Sequence, residues 1–459
     1  MPSTDFKVIL IGGGPVGLTA AHAFYHAGID FVVLEGRDSL VLDQGASLVL
    51  APPSLRVMHQ FGLLERLSKI GCEMARVSSF THDGSRFADN RTIPDTLRAN
   101  HGKAPFIFHR AQLVEALYDE LPSEAKARYF LNKKLQSVEV MKEQDGVAVT
   151  CTDGSTYQGS IVLGADGVHS KTRTLMREMA MLEDPHQAWE DAVNPFSTQY
   201  RCMWCSFPRP EGVEEGYATD TQSKDVSVMF LSGKERGWIF LYERFPKIPV
   251  TAAEQTKETR VHYTEDDMQS FATRFADFPV TRELKVKDVY VARLTQGMAN
   301  LEEGVLARWS WKRIVLAGDA CHKFTPNAGR GLNSGIQDIV ALCNGLNKAL
   351  KSNQDILPDD LTLEKVFTEY QRTRDKPLKA DYKRSRHTTR MHAWENRVYY
   401  FMARYVMSSE LIVSWLLKLG RYGDGAVQKA LTLDYVLADE PFPAAVPWDH
   451  PLVTKEAKA

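Results

Sequence analysis

The sequence predicts an α/β chain in three parts: a parallel-sheet domain, a β-rich layer set into it, and a helical C-terminal region. Three observations carry this. Phe6–Ile11 is a short apolar run that breaks into Gly12-Gly-Gly14-Pro-Val-Gly17 and then into a helical pattern over Leu18–Ala27. Ile314–Ala317 is a second apolar run, ended by Gly318-Asp319 and a turn with Pro326, Gly329 and Gly331. Leu332, Ile336, Ile339, Val340, Cys343 and Leu346 then recur at helical spacing. Between these units, from about 185 to 290, strand-like runs (Tyr200–Phe207, Val226–Leu231, Trp238–Tyr242) alternate with polar turns and are rich in aromatics.

The first unit carries a dinucleotide signature. Gly12, Gly14 and Gly17 meet G-x-G-x-x-G: one glycine for the tight turn, one for backbone approach to a pyrophosphate, one for close helix–strand packing. The next strand, Phe31–Leu34, ends in Glu35, eighteen residues after Gly17, where an acid holds adenosine ribose hydroxyls. Glu35-Gly-Arg37 runs into Gln44-Gly-Ala-Ser47, and Pro53-Ser54 opens a helix with Leu55, Met58, Phe61 and Leu64. Phe106–Arg110 precedes an amphipathic helix with Leu113, Leu117 and Leu121, so Arg110 stands where it can clamp a phosphate or instead make a surface ion pair.

Leu135–Val140 and Val147–Cys151 alternate as antiparallel strands, and Asp153-Gly154 turns into Thr156–Ser160. Ile161–Gly164 is another apolar strand, ending in Gly164-Ala-Asp166-Gly167 before a further helix. In the Gly318 unit, Asp319 stands at a strand's carboxyl edge, where open α/β sheets bind ligands. The helix start near Gly331 offers free N–H groups and a positive dipole end to an anion. Strand, acid, glycine turn and helix N-terminus together describe a cradle for a bulky anionic cofactor.

Bulk properties narrow the field. Fifty-six basic residues against fifty-eight acidic ones in 459 leave no nucleic-acid footprint and no acidic tail. Six cysteines are scattered without disulfide-framework spacing. Cys202-x-x-Cys205 invites a metal or redox reading, but in a strand residues three apart face opposite ways, and no second pair exists. Val8–Ile11 is cut off by glycines and lacks a basic lead, which is not a signal peptide. Leu411–Lys418 is the most apolar part of the C-terminal region, set between Glu410 and the pair Lys418 and Arg421. It is too short to span a bilayer, so a docked helix and a cytoplasmic protein are expected.

G-x-G-x-x-G with Glu35, D-G-x-x-S-x-x-R at Asp166–Arg173, and Gly318-Asp319 with the glycines after it occur in one order. Over residues 6 to about 350 they resemble the class A, single-component flavoprotein monooxygenases. The run from Asp43 to Leu64 and Thr325-Pro-Asn-x-Gly-Arg-Gly look most like the fungal paxilline-type FAD epoxidases of terpenoid, meroterpenoid and indole-alkaloid pathways. The resemblance implies a Rossmann-like FAD-binding domain of aromatic-hydroxylase fold over 1–75, 100–184 and 290–358. It implies a β-rich substrate domain over 76–99 and 185–289, and a helical region over 359–459.

It also implies roles. Glu35 would hold the adenosine ribose, the segment around Val49 would line the flavin through backbone, and Arg110 would reach the pyrophosphate and ribityl region. Asp166 and Gly167 would serve FAD and NAD(P)H together, Asp319 would bind the ribityl chain, and Gly331 and Leu332 would meet the ring through backbone. Tyr217, in Glu-Gly-Tyr-Ala, and Arg201 in the strand before it are the catalytic candidates. Either is equally consistent with ordinary β-domain surface. The implied cycle is reduction by NAD(P)H, reaction of reduced FAD with O2 to a C4a-hydroperoxide, and oxygen transfer to a hydrophobic metabolite by epoxidation or hydroxylation.

Three rivals remain at this point. Trp309-Ser-Trp311-Lys-Arg-Ile314 resembles the W-x-W-x-I-P signature of flavin halogenases, but Arg313 stands in place of Ile and no Pro follows. An FAD oxidase or dehydrogenase would share the cradle without inserting oxygen. A flavoprotein scaffold would be reduced only slowly by NAD(P)H.

Overall fold

The computed structural model describes residues 6–43, 46–141, 146–184, 196–246, 261–352, 357–419 and 427–454. Gln44, Gly45 and Arg421 lie outside the described residues, as does part of the 185–290 layer.

Six strands form the first sheet, in the order Ser310–Trp311, Ile314–Leu316, Ile161–Gly164, Lys7–Ile11, Asp30–Leu34, Tyr129–Phe130. All neighbours are parallel except the edge strand Ser310–Trp311. The near-continuous apolar runs are explained by burial on both faces: Val8, Ile9, Leu10, Ile161, Val162, Leu163, Ile314 and Leu316 are fully enclosed. Helices Pro15–Ala27 and Gly331–Ser352 pack against each other on this sheet, and both begin at strand carboxyl ends. The three sequence motifs therefore converge on one edge, because parallel strands put all their carboxyl ends together.

Leu135–Met141, Gly146–Cys151 and Thr156–Gly159 form the expected antiparallel sheet, turned at Gly154 with φ +82. The β-rich layer is one eight-stranded sheet. Its order is His322–Lys323, Thr295–Val305, Ser197–Pro208, Arg236–Arg244, Val226–Ser232, Tyr217–Gln222, Arg76–Thr81, Arg86–Asn90. Its two faces carry separate apolar clusters, one with Met203, Phe207, Phe230 and Phe271, the other with Cys202, Leu231, Phe240 and Leu301. Thr295–Val305 and His322–Lys323 pair in this sheet, so it reaches past the boundary at 289 that the sequence suggested. Cys202 and Cys205 fall on its opposite faces as free buried thiols, which rules out a shared ion between them.

The C-terminal region is dominated by the 33-residue helix Asp360–His392, capped by Asp359 and carrying Pro377. It lies along Gly331–Ser352 and places Arg374, Ser385 and Thr389 in the interior. No helix among the described residues is long and apolar enough to cross a membrane.

Candidate active site

A cleft of ≈ 1260 Å3 opens where the parallel sheet's carboxyl edge meets the eight-stranded sheet. Gly12, Gly14, Glu35, Val49, Arg110, Asp166, Gly167, Asp319, Gly331 and Leu332 all line it; of the cofactor-binding candidates, only Gly17 sits behind the wall.

The glycine turn is fixed by contacts that leave no room for side chains except at one place. A Cβ on Gly12, held at φ +99, would lie 2.5 Å from the Ala165 carbonyl oxygen, and one on Gly17 would lie 2.0 Å from that of Gly12. A Cβ on Gly13 would strike the Tyr129 hydroxyl, which donates to the Gly13 carbonyl at 3.0 Å. Gly14 alone faces open space, with nothing within 4 Å, and that space is the cleft. A backbone open to a large group on one side and closed on the other fits a pyrophosphate.

Glu35 is buried at its strand end. It accepts from the Gly13 N–H at 2.8 Å, the Arg37 N–H at 2.9 Å and Arg37 Nε at 3.0 Å. The strand and the glycine turn are thereby locked together, with the carboxylate on the cleft wall. Arg110 opens the helix Arg110–Asp119, and its guanidinium makes no ion pair among the described residues. Burial lowers its pKa, with Arg37 acting in the same direction and Asp319 and Glu35 against it. A half-desolvated guanidinium beside an open cleft is an anion site. Asp319 likewise makes no hydrogen bond or ion pair among the described residues, so its carboxylate can accept from a bound polyol.

Asp166 is used differently. Its Oδ1 accepts from the Ser170 hydroxyl at 2.6 Å and its Oδ2 from the Thr172 N–H and hydroxyl, both at 3.0 Å, capping the helix Lys171–Glu183. Burial raises its pKa against those bonds. Gly167, at φ +81 with open space beside it, carries the exposed backbone of that turn.

Five residues that the sequence reading did not assign complete the cradle: Asn333, Asp338, His322, Arg374 and Lys323. Asn333 is a clamp: its Oδ1 accepts from the Ala51 N–H (2.8 Å) and the Ser54 hydroxyl (2.7 Å), and its Nδ2 donates to the carbonyls of Val49 (2.8 Å) and Gly329 (2.7 Å). The Val49 segment is thus fastened to the start of the Gly331 helix. Asp338 is a hub behind the Asp319 loop. It accepts from the Gly318 N–H at 3.1 Å, from His322 Nε2 at 2.5 Å and from Arg374 Nε at 2.9 Å. Burial alone would raise the Asp338 pKa, but His322 and Arg374 hold it below the usual carboxylate value. Lys323 is a half-buried lysine on the cleft wall, its ammonium 3.9 Å from Glu302; desolvation pulls its pKa down. A signal for Asp338 and Arg374 existed in the charged residues set among helical apolar positions, but nothing in the chain says which partner each meets.

Val77, Met229, Leu231, Phe240 and Leu301 form the facing wall, all from one side of the eight-stranded sheet, with Ile93, Leu97 and Leu417 at its edge. Met229 and Phe240 are cross-strand partners, as are Ala218 and both Val77 and Leu231. The two catalytic candidates point the other way. Tyr217 is one residue off Ala218, packs edge-on against Phe230 at 6.5 Å and lies under the Arg76 guanidinium. Arg201 is one residue off Cys202, bonds Glu243 with Nε at 2.6 Å and covers the Phe271 ring. The strand period of two turns both from the cleft, a correction to their expected role.

The profile of the FAD binding domain family matches residues 5–359, more than three-quarters of the chain. Among relatives, the FAD-dependent monooxygenase prhF of Penicillium brasilianum is 31% identical over 404 residues, spanning 88% of this chain and 82% of that protein. The chain belongs to the FAD-dependent monooxygenases. The nvfK monooxygenase of Aspergillus novofumigatus is 30% identical over 432 residues, covering 90% of this chain and 88% of its own. In fold, Klebsiella pneumoniae HpxO complexed with FAD and uric acid superposes with a TM-score of 0.69 at 19% identity, covering 92% of this chain and 96% of that one. A salicylate hydroxylase substrate complex gives 0.65 at 18% identity, over 92% and 97%. For this monooxygenase the open Gly14 face, the free Asp319 carboxylate and the Gly331 helix start are the features that fit FAD.

Proposed function

We propose that this monooxygenase uses NAD(P)H and O2 to insert one oxygen atom into a bulky, mostly apolar metabolite of terpenoid, meroterpenoid or prenylated-indole type, by epoxidation or hydroxylation. In balance, NAD(P)H, a proton, O2 and substrate give NAD(P)+, water and the oxygenated product. One observation carries the reading: the cofactor cradle and the apolar wall of Met229, Leu231 and Phe240 share a single cleft. Bound FAD supplies the redox and oxygen chemistry.

The chain's own residues bind, orient and exclude water. Backbone at Gly14 and the Arg110 guanidinium take the pyrophosphate, and Glu35 takes the adenosine ribose. Asp319 accepts from ribityl hydroxyls, and the segment around Val49, held by Asn333, lines the ring. The first N–H groups of the Gly331 helix have no intrahelical acceptor and offer about 0.3–1 kcal/mol to a negative charge, more where water is excluded. Asp166 and Gly167 shape the turn shared by FAD and NAD(P)H. The apolar wall keeps water from the reacting face, which favours oxygen transfer over release of H2O2.

The test is aerobic turnover of the yellow protein against a panel of prenylated aromatics, indoles and terpenoids, with 18O2. Product carrying one labelled oxygen per NAD(P)H consumed is expected. NAD(P)H consumption that yields only H2O2 with every compound, or oxidised product without label, would replace this reading with an oxidase or dehydrogenase.

A further inference from the structure

We propose that the stretch Arg397–Leu419 docks on an anionic lipid surface, lying in its plane, with the cleft wall on the inner side of the same helix. Seventeen large hydrophobic side chains are exposed among the described residues, and eight of them fall between Val398 and Leu419. They are not scattered. On the helix Glu410–Lys418, Leu411 (85% exposed) and Trp415 (57%) stand four residues apart, and Leu419 (47%) follows four later, which makes one outward stripe. Val413 and Leu417, on the opposite side, are buried, and Leu417 lines the cleft. A helix apolar on both sides needs a second apolar neighbour.

The composition selects the neighbour. Phe401 (56%) and Tyr405 (56%), rings 5.4 Å apart, add aromatics to Trp415, the mixture that settles at a membrane–water boundary. From Arg397 to Leu419 the charges are Arg397, Arg404 and Lys418 against Glu410 alone, three positive to one negative. Arg404 is drawn in over the Phe87 ring at 4.3 Å, while Arg397 and Lys418 are exposed near the two ends of the Arg397–Leu419 stretch. Cations at the two ends of an aromatic and aliphatic stretch match an anionic headgroup layer, and no helix among the described residues is long and apolar enough to cross a membrane. Docking stands on this surface alone; delivery of apolar substrate from the bilayer past Leu417 rests on the function proposed above.

Flotation of the FAD-loaded full chain with phosphatidylcholine vesicles, with and without phosphatidylserine, tests the docking without reference to turnover. The chain should float with the phosphatidylserine vesicles and Trp415 emission should shift to the blue. Leu411→Glu with Trp415→Glu should weaken flotation by about tenfold or more at unchanged flavin absorbance and melting temperature. Lys418→Glu, an exposed change that leaves packing alone, should weaken only the phosphatidylserine dependence. A chain that stays out of both vesicle populations overturns the proposal. So does a dimer that the double substitution splits, since a second copy would then cover the stripe.

Discussion

The wall proposed for the cofactor and the wall proposed for the substrate face each other across one cleft, yet they are held by different parts of the chain. On the cofactor wall the working groups are largely backbone. Gly12, Gly13 and Gly17 are closed in by Ala165, Tyr129 and each other, and Val49 is tied through its carbonyl to Asn333. On the substrate wall every working group is a side chain, and its direction alternates residue by residue along each strand. Backbone geometry is stated by glycines and motif spacing; side-chain direction is stated only by register. That difference decides what a substitution should do on either side.

The largest contrast lies within the glycine turn. Gly17→Val puts a side chain 2.0 Å from the Gly12 carbonyl, two pieces of backbone that cannot both move, so the protein should fail to fold. A Cβ on Gly14 meets no atom within 4 Å, so Gly14→Val should fold, yet remain colourless because its side chain fills the cofactor's space. Circular dichroism melts and flavin absorbance separate the two. A yellow, folded Gly14→Val protein would break the assignment of this wall.

Next is the hub. Asp338 and Arg374 are both buried, and removing one partner of such a pair costs about 3–5 kcal/mol. Arg374→Met should show that loss in urea unfolding, along with weaker FAD binding, because the Gly318 N–H that Asp338 holds belongs to the Asp319 loop. The folded-state pKa of Asp338 lies below the ordinary 3.8, so its contribution is present above that value and is lost as pH falls through the lower one. The acid-side loss of stability should therefore be smaller in Asp338→Asn. An Arg374→Met protein as stable as the parent would remove the hub from the account.

Asp319 sharpens the same comparison with a milder effect. Its carboxylate has no partner among the described residues to lose, so Asp319→Ala should leave the melting temperature nearly unchanged. FAD affinity should fall by roughly tenfold to hundredfold, the equivalent of about 1.5–3 kcal/mol for a charged acceptor. Titration of the apoprotein with FAD measures it. Equal affinity would leave Asp319 without its role.

On the other wall, Met229→Ala enlarges the cleft without touching the cradle. Flavin content should hold, while H2O2 released per NAD(P)H rises by a few-fold because substrate is less well placed. Unchanged coupling with every oxygenated substrate would mean that substrate does not lie against this sheet.

These walls were unequally legible in the sequence. The parallel sheet, the glycine turn, Glu35, Arg110, Asp319 and the Gly331 helix could be read because each is a local pattern of spacing and turn residues. Asn333, Asp338 and Arg374 could not, since their partners lie up to 284 residues away in the chain and only folding brings them together. The extent of the eight-stranded sheet was missed at Thr295–Val305, where eleven residues with few apolar positions form the strand next to one edge. Tyr217 and Arg201 show the sharpest limit: Arg201 was read in a strand, Tyr217 opens the strand Tyr217–Gln222 that was not read, and in each one residue of register reverses what the side chain meets.

The smallest expected effect is therefore at Tyr217. Its ring packs against Phe230 beneath Arg76, on the face that carries Met203, Phe207 and Phe271. Phenylalanine keeps that packing and removes only the hydroxyl. Burial pushes the tyrosine pKa up, so the hydroxyl stays protonated through the neutral range and carries no charge that the substitution would delete. Loss of one neutral hydrogen bond is worth about 0.5–1.5 kcal/mol of stability, a small shift in melting temperature. A general acid in the cleft would behave otherwise, since removing it slows the reaction by roughly 10²–10⁴-fold. Tyr217→Phe should accordingly match the parent in product formation and in H2O2 released per NAD(P)H. A hundredfold loss of rate at full flavin content would mean that the sheet turns this face toward substrate during turnover, and the two-wall description would have to be redrawn around Tyr217 and Arg201.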